Sequence, residues 1–169
     1  MTFPRTEGQI PIYYNHFNTG RPAKHDTDVN YVAAYIDLPN SPKYPFGFGL
    51  SYTSFQYGEI ELNKKSIKQN ENLQVKITIK NTGNVDGEEV VQLYIRDMVG
   101  SLVRPVKELK GFQKVMLKAG ESKTISFTLK PDDLKYYNND AKMVVEPGDF
   151  KVFAGGNSRD VKEADFILQ

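Results

Sequence analysis

Adjacent carboxylates, two isolated histidines and a dense run of aromatic rings are the residues in this chain whose types could do chemistry. Two carboxyl groups facing each other across a glycosidic bond can split it, at about 5–5.5 Å apart for retention of configuration and about 6.5–9.5 Å for inversion. Glu88-Glu89 and Asp132-Asp133 are neighbours in sequence instead. Glu88-Glu89 opens an expected strand, where successive side chains point to opposite faces, so the pair diverges and reads as a solvated strand end. Asp132-Asp133 follows Pro131, where an acid caps backbone N–H groups and favours a helical turn. Asp26 and Asp28 flank Thr27 in a polar loop, but calcium takes six or more oxygens and no EF-hand spacing is present. No catalytic residue is assigned from these patterns.

His16 and His25 lack the close pairing that favours a metal, and the absence of cysteine removes thiolate nucleophiles, Cys-ligated zinc and disulfides together. No metal site and no cofactor is expected. There is no Gly-x-Ser-x-Gly elbow, and Gly47-Phe48-Gly49 lacks the third glycine of a dinucleotide loop. Candidate contact residues remain. His16 and Arg21 sit beside loop-forming residues that can reach a neighbour's site, although a hydrogen-bonded structural role is the preferred reading. Tyr44, Phe46, Phe48 and Tyr52 carry rings of the kind sugars stack on, and an aromatic run among prolines and glycines is more often an interface between domains.

The elements that must position these residues differ between two halves, with the change near Phe55–Gly58. Before it, Ile10–Tyr14 is β-prone but its proline makes it an edge strand or strand terminus. Asn18–Pro22 is turn chemistry, 23–30 is polar without period, and Tyr31–Leu38 is a short strand candidate. The run from Pro39 to Tyr52 needs a surface to pack against. Ordering so irregular a segment costs about 1–2 kcal/mol per residue, so residues 1–56 read as the severed end of a larger preceding domain plus a link.

After the change, strand patterns recur. Leu73, Val75, Ile77 and Ile79 alternate with polar residues, the period of a half-buried antiparallel strand ended by Asn81-Thr82-Gly83-Asn84. Val91, Leu93 and Ile95 share one face of the next strand, with Gln92 and Tyr94 on the other. Val106–Val115, Thr124–Leu129, Lys142–Val145, Phe150–Ala154 and Asp165–Leu168 follow, and Pro131–Tyr136 is a single helical turn. About seven short strands at intervals of roughly 8–12 residues make residues 57–169 a mainly β, immunoglobulin-like antiparallel sandwich. The 22 basic against 21 acidic residues give a formal charge of +1, which offers no net field for phosphate backbones or an anionic membrane, so neither is an expected partner. No stretch approaches the ~20 apolar residues of a membrane span.

Two sets of motifs carry a family resemblance. Gly8-Gln9-Ile10-Pro11-Ile12-Tyr13-Tyr14-Asn15-His16, Gly20-Arg21-Pro22 and Tyr44-Pro45-Phe46-Gly47-Phe48-Gly49-Leu50-Ser51-Tyr52-Thr53 resemble the end of the α/β sandwich domain of family 3 glycoside hydrolases and the link that leaves it. Asn81-Thr82-Gly83, Gly87–Tyr94, Arg104–Phe112 and Glu146-Pro147-Gly148 resemble that family's fibronectin type III-like domain. The resemblance implies a parent β-glucosidase or β-xylosidase that works with retention and without a cofactor, periplasmic or secreted, whose catalytic carboxylates have no counterpart here. The chain is then a non-catalytic structural region whose partners are the catalytic domains of its own parent, with β-glycan contact and homo-oligomerisation through the aromatic seam as further expectations. The rival reading is a carbohydrate-binding or protein-interaction β-sandwich module.

Overall fold

The computed structural model describes residues 1–23, 25–28 and 30–169. Lys24 and Val29, in the polar loop expected over 23–30, lie outside the described residues. Among the described residues, ten strands form two facing sheets and a small hairpin. Strands β1 (Phe55–Leu62), β3 (Leu73–Asn81) and β6 (Ser122–Leu129) make one sheet in the order β1-β3-β6. The other has the order β2-β10-β9-β4-β5, from Ser66–Ile67, Val161–Leu168, Gly148–Gly155, Gly87–Asp97 and Glu108–Leu117. Strands β7 (Tyr136–Tyr137) and β8 (Met143–Val144) pair with each other. All named pairings are antiparallel except β2 with β10.

Alternation decides which side chains fill the sandwich. Leu73, Val75, Ile77 and Ile79 of β3 are buried, and in register with them Ile125, Phe127 and Leu129 of β6 face the same way. Val91, Leu93 and Ile95 of β4 meet them from the opposite sheet, beside Phe150, Val152 and Ala154 of β9 and Phe166 and Leu168 of β10. Phe150 and Phe166 are a cross-strand pair with rings stacked at 5.2 Å. Such pairs add to plain area burial.

The sandwich is the mainly β, antiparallel architecture expected. Its strand limits run longer than the hydrophobic pattern at β4 and β9, and β8 is trimmed to two residues. The turn at Pro131–Leu134 forms as one 3-10 turn, with the Asp133 carboxylate accepting the Lys130 N–H at 2.7 Å and Asp132 paired to Lys135 at 2.7 Å. Two expected strands are absent. Ile10–Tyr14 follows a 3-10 turn (Glu7–Gln9) and joins no ladder; Tyr14 docks by its ring on Tyr94 of the larger sheet. Tyr31–Leu38 does not stay extended: Tyr31 sits at φ 60, in the left-handed region, and only Ala33 bridges to Pro22.

The Asn-Thr-Gly turn after β3 is fixed by one buried amide. Asn81 donates to the carbonyls of Val85 and Leu117 at 2.8 and 3.2 Å, and accepts from the Thr53 hydroxyl and the Gly83 N–H at 2.6 and 3.1 Å. It therefore ties the end of β3 to β5 and to the link before β1. A Cβ at Gly83 would collide with Thr53, which accounts for the glycine. Asn81→Ala leaves these buried partners unpaired and is expected to lower the unfolding free energy by about 2–4 kcal/mol in urea titrations, whereas Lys76→Ala on the exposed face of β3 changes it by less than about 0.5 kcal/mol.

Candidate functional site

The face of β4 and β9 that turns away from the sandwich core is also covered. Gln92, Tyr94 and Phe153 lie on it, and all three are buried although they do not touch the core. The cover is the N-terminal segment. Phe46 stacks on Tyr14 at 4.3 Å with the planes 20° apart, and Tyr14 meets the Tyr94 ring edge-on at 5.8 Å. Gln92 donates to the carbonyls of Gly47 and Gly156 at 3.0 and 2.6 Å, while its carbonyl oxygen accepts the Tyr94 hydroxyl. Ser158 N–H closes the same seam on the Phe46 carbonyl at 2.8 Å. Gly47 holds φ 80, and a Cβ there would run into the Gln92 amide. The burial that covers Tyr94 raises its phenol above the ordinary value.

The six residues singled out as contact candidates do not converge. Phe46 belongs to the seam just described. Tyr44 and Phe48 tilt against each other at 5.0 Å, with Phe3 edge-on to Tyr44 at 6.3 Å, and form a half-exposed aromatic cluster. Tyr52 is fully exposed. His16 lies elsewhere: its Nδ1 is 2.9 Å from the Phe17 carbonyl, its own carbonyl accepts the Val106 N–H, and it lines a cavity of about 570 Å³ that Tyr44, Phe46, Phe48 and Tyr52 do not line. Arg21 is exposed and, among the described residues, contributes its carbonyl to the Ala33 N–H at 2.7 Å. The residues that seal the seam, Tyr14, Gln92 and Tyr94, were not among the candidates. For Gln92 and Tyr94 the signal was a run of apolar residues on both sides of Gln92, Val90-Val91 and Leu93-Tyr94-Ile95, which marks a strand buried on both faces; Tyr14 had none.

A second cleft of about 400 Å³ lies between the link and the sheet edge, with Phe48, Phe55 and Tyr57 on its walls and Glu88, Glu89 and Asp160 around it. Each carboxylate has a partner: Glu88 pairs with Lys114, Glu89 accepts the Tyr57 hydroxyl at 2.8 Å, and Asp160 pairs with Arg159 at 3.1 Å. Glu89 is thus not the solvated strand end expected of it. Burial raises its carboxyl above the ordinary range, outweighing the Tyr57 hydrogen bond, and burial followed by the Glu89 charge raises the Tyr57 phenol in turn. A raised carboxyl is one feature of a general acid, but a glycosidic bond needs a second carboxylate facing it. Its neighbour Glu88 projects to the other face of the pleat and Asp160 is forked onto Arg159.

A third group of charges is structural. The Arg104 guanidinium lies over the Tyr136 ring at 4.2 Å, pairs with Glu108 at 3.1 Å and faces Asp97 at 3.9 Å, while Glu146 accepts the Ser101 N–H at 2.8 Å. Among the described residues no group of three or more His, Cys, Asp or Glu side chains is placed to hold a metal ion.

Comparison with known proteins bears on the whole length. Residues 89–158 match the fibronectin type III-like domain family. A periplasmic β-glucosidase of Salmonella typhimurium is 44% identical over 168 residues, which are 99% of this chain and 22% of that protein. A protein named as a putative β-xylosidase of Formosa agariphila is 41% identical over 169 residues, 100% of this chain and 21% of its own. The crystal structure of a β-glucosidase from Listeria innocua in complex with isofagomine superimposes with a TM-score of 0.91 at 46% identity, covering 99% of this chain and 24% of that one. The chain thus spans about a fifth of the length of the curated relatives it matches.

Two variants test the seam and the cleft. Gly47→Ala displaces the Gln92 amide from a backbone at positive φ and is expected to cost about 2–4 kcal/mol, read as a lowered midpoint in thermal and urea unfolding. Glu89 binds its proton more tightly folded than unfolded, so its contribution to stability is present at low pH and is lost as pH rises from the unfolded value through the raised folded one. Glu89→Gln keeps an acceptor for Tyr57 and removes that titration. Its melting temperature is expected to rise relative to the parent chain between pH 4 and pH 7; an unchanged difference would place Glu89 in an ordinary solvated setting.

Proposed function

We propose that this chain, related over nearly its whole length to the C-terminal region of family 3 β-glucosidases and β-xylosidases and carrying a fibronectin type III-like domain, is the non-catalytic stabilising region of a longer hydrolase of that kind. In this reading residues 1–56 are the end of a preceding α/β sandwich domain with its link, and residues 57–169 the fibronectin type III-like domain. The longer protein hydrolyses O-glycosyl bonds of β-linked sugars with retention, and this region's partner is the catalytic part of the same chain. A relative is named as periplasmic, which supports a periplasmic or secreted parent.

One observation carries the reading: the N-terminal segment is two-sided. Its inner side is fastened to β4 by Phe46, Gly47 and Tyr14, while its outer side leaves Leu50 and Tyr52 at 92% and 102% exposure. Apolar surface is worth about 25 cal/mol per Å² when buried, so side chains displayed this way on a tightly fastened link are anchors for a neighbouring domain. Tyr44, Phe48 and Phe3 extend the same surface.

The purified chain is expected to release no chromophore from an aryl β-glucoside while unfolding cooperatively, and turnover by the folded chain would overturn the non-catalytic assignment. With its anchors bare, it is expected to self-associate at high concentration in sedimentation velocity, and Leu50→Ser with Tyr52→Ser to return it to monomer. Association unaffected by those changes would remove the anchors from the reading. Retention on an insoluble β-glucan or xylan that Phe48→Ala abolishes would favour a recognition module instead.

A further inference from the structure

The cavity of about 570 Å³ lies between the N-terminal segment and the outer face of β4 and β9, and the charged side chains on its wall are Arg96, Lys107, Lys151 and Arg159 against a single carboxylate, Glu163. Arg96 is half-buried on its wall and has no hydrogen-bond or ion-pair partner among the described residues. Its cross-strand neighbour is Lys151, a like charge, which already holds Glu163 and Asp165 at 3.0 and 2.9 Å. Directly opposed like charges destabilise a sheet, so nothing in the ladder calls for an arginine at this position. Lys107, also half-buried, lies 4.7 Å over the Phe153 ring and donates to the Ser158 carbonyl at 2.6 Å, with no carboxylate in ion-pair range. Burial lowers its ammonium from the ordinary value, the nearby Asp160 and Glu163 oppose that, and Arg96 adds to it. Asn40 lines the same cavity and its buried Nδ2 has no partner.

Arg96 and the Asn40 amide need an acceptor, and Lys107 beside them has a carbonyl for its ammonium but no counter-charge within ion-pair range. The space is much larger than a lone carboxylate or phosphate requires, and it falls in the range of pockets that hold whole small molecules. Tyr13, Tyr14 and Phe153 supply apolar wall to the ring of such a molecule. We propose that this cavity is a binding site for a sugar acid, a hexuronate whose carboxylate is held by Arg96 and Lys107 and whose ring lies against the Tyr13 side of the cavity. Guanidinium recognises a carboxylate through two parallel N–H donors, which gives Arg96 the orienting role and Lys107 the charge. The site does not depend on the chain belonging to a hydrolase.

The test is a titration of the isotope-labelled chain with glucuronate, followed by NMR at the Arg96 side-chain N–H and the backbone of Val106, Lys107 and Phe153. Saturable shifts are expected, with glucose and acetate each binding at least about tenfold more weakly. Arg96→Gln should weaken glucuronate by about tenfold, the loss of one charged hydrogen-bonded contact, without lowering the unfolding midpoint, since Arg96 makes no hydrogen bond or ion pair among the described residues. Lys107→Gln should weaken it comparably. Unsaturable shifts, equal binding of glucose, or an Arg96→Gln chain that binds glucuronate normally would overturn the proposal. Acetate binding as tightly as glucuronate would also overturn it, by showing a place for a lone carboxylate such as a protein side chain. Inorganic phosphate binding as tightly would reduce the cavity to counterion attraction.

Discussion

Strand β4 cannot be satisfied by one partner layer, and much else in the molecule answers that constraint. Its inward face fills the sandwich, but Tyr94 and the Gln92 amide on the outward face would leave a large ring and a polar group at the sheet surface. An amide withdrawn from water is tolerable only when its hydrogen bonds are replaced. The N-terminal segment supplies both needs at once: rings for Tyr94 and, at Gly47, a carbonyl for Gln92. That requirement explains why a segment with hardly any ladder of its own is ordered over the sheet, and why a glycine at positive φ stands where the two meet.

The other buried polar groups follow the same logic on a smaller scale. Asn81 satisfies four backbone and side-chain groups at a strand end where turn, link and neighbouring strand come together. Arg104 is flanked by Glu108 and Asp97 and stacked on Tyr136, so its charge is balanced where it is half-covered. Burial raises the Asp97 carboxyl more than Arg104 lowers it, as happens when an ion pair is drawn partly out of water. Arg96 and Lys107 break this pattern: they too are half-buried, yet among the described residues neither has a carboxylate within ion-pair range.

The sandwich was legible because alternation is a short-range signal. In β3 the sequence Leu-Gln-Val-Lys-Ile-Thr-Ile states which side chains face inward, and the turn at Asn81-Thr82-Gly83 marks where that strand stops. The first half was not legible in the same way. Ile10–Tyr14 and Tyr31–Leu38 have β-prone residues, yet no strand edge is presented to them, and their conformations are set by surfaces far away in sequence. Contact candidates suffered likewise. Tyr44, Phe46, Phe48 and Tyr52 look equivalent in a list of aromatics, and only the path of the link separates Phe46, inside a seam, from Tyr52, outside everything. Arg96 carried no signal at all, because its lack of an acid is a fact about neighbours.

The strap across β4 also changes what counts as a transplantable unit. A recombination point at the start of β1, near Phe55, matches the strand pattern but severs Phe46, Gly47 and Tyr14 from the face they cover. A sandwich grafted from that point would arrive with an uncovered aromatic sheet face and an amide seeking two carbonyls, of which it retains only Gly156. The exchangeable module is therefore longer than its strands, and chimeras that inherit the irregular leader from the same source keep the complementarity that unrelated junctions would lose.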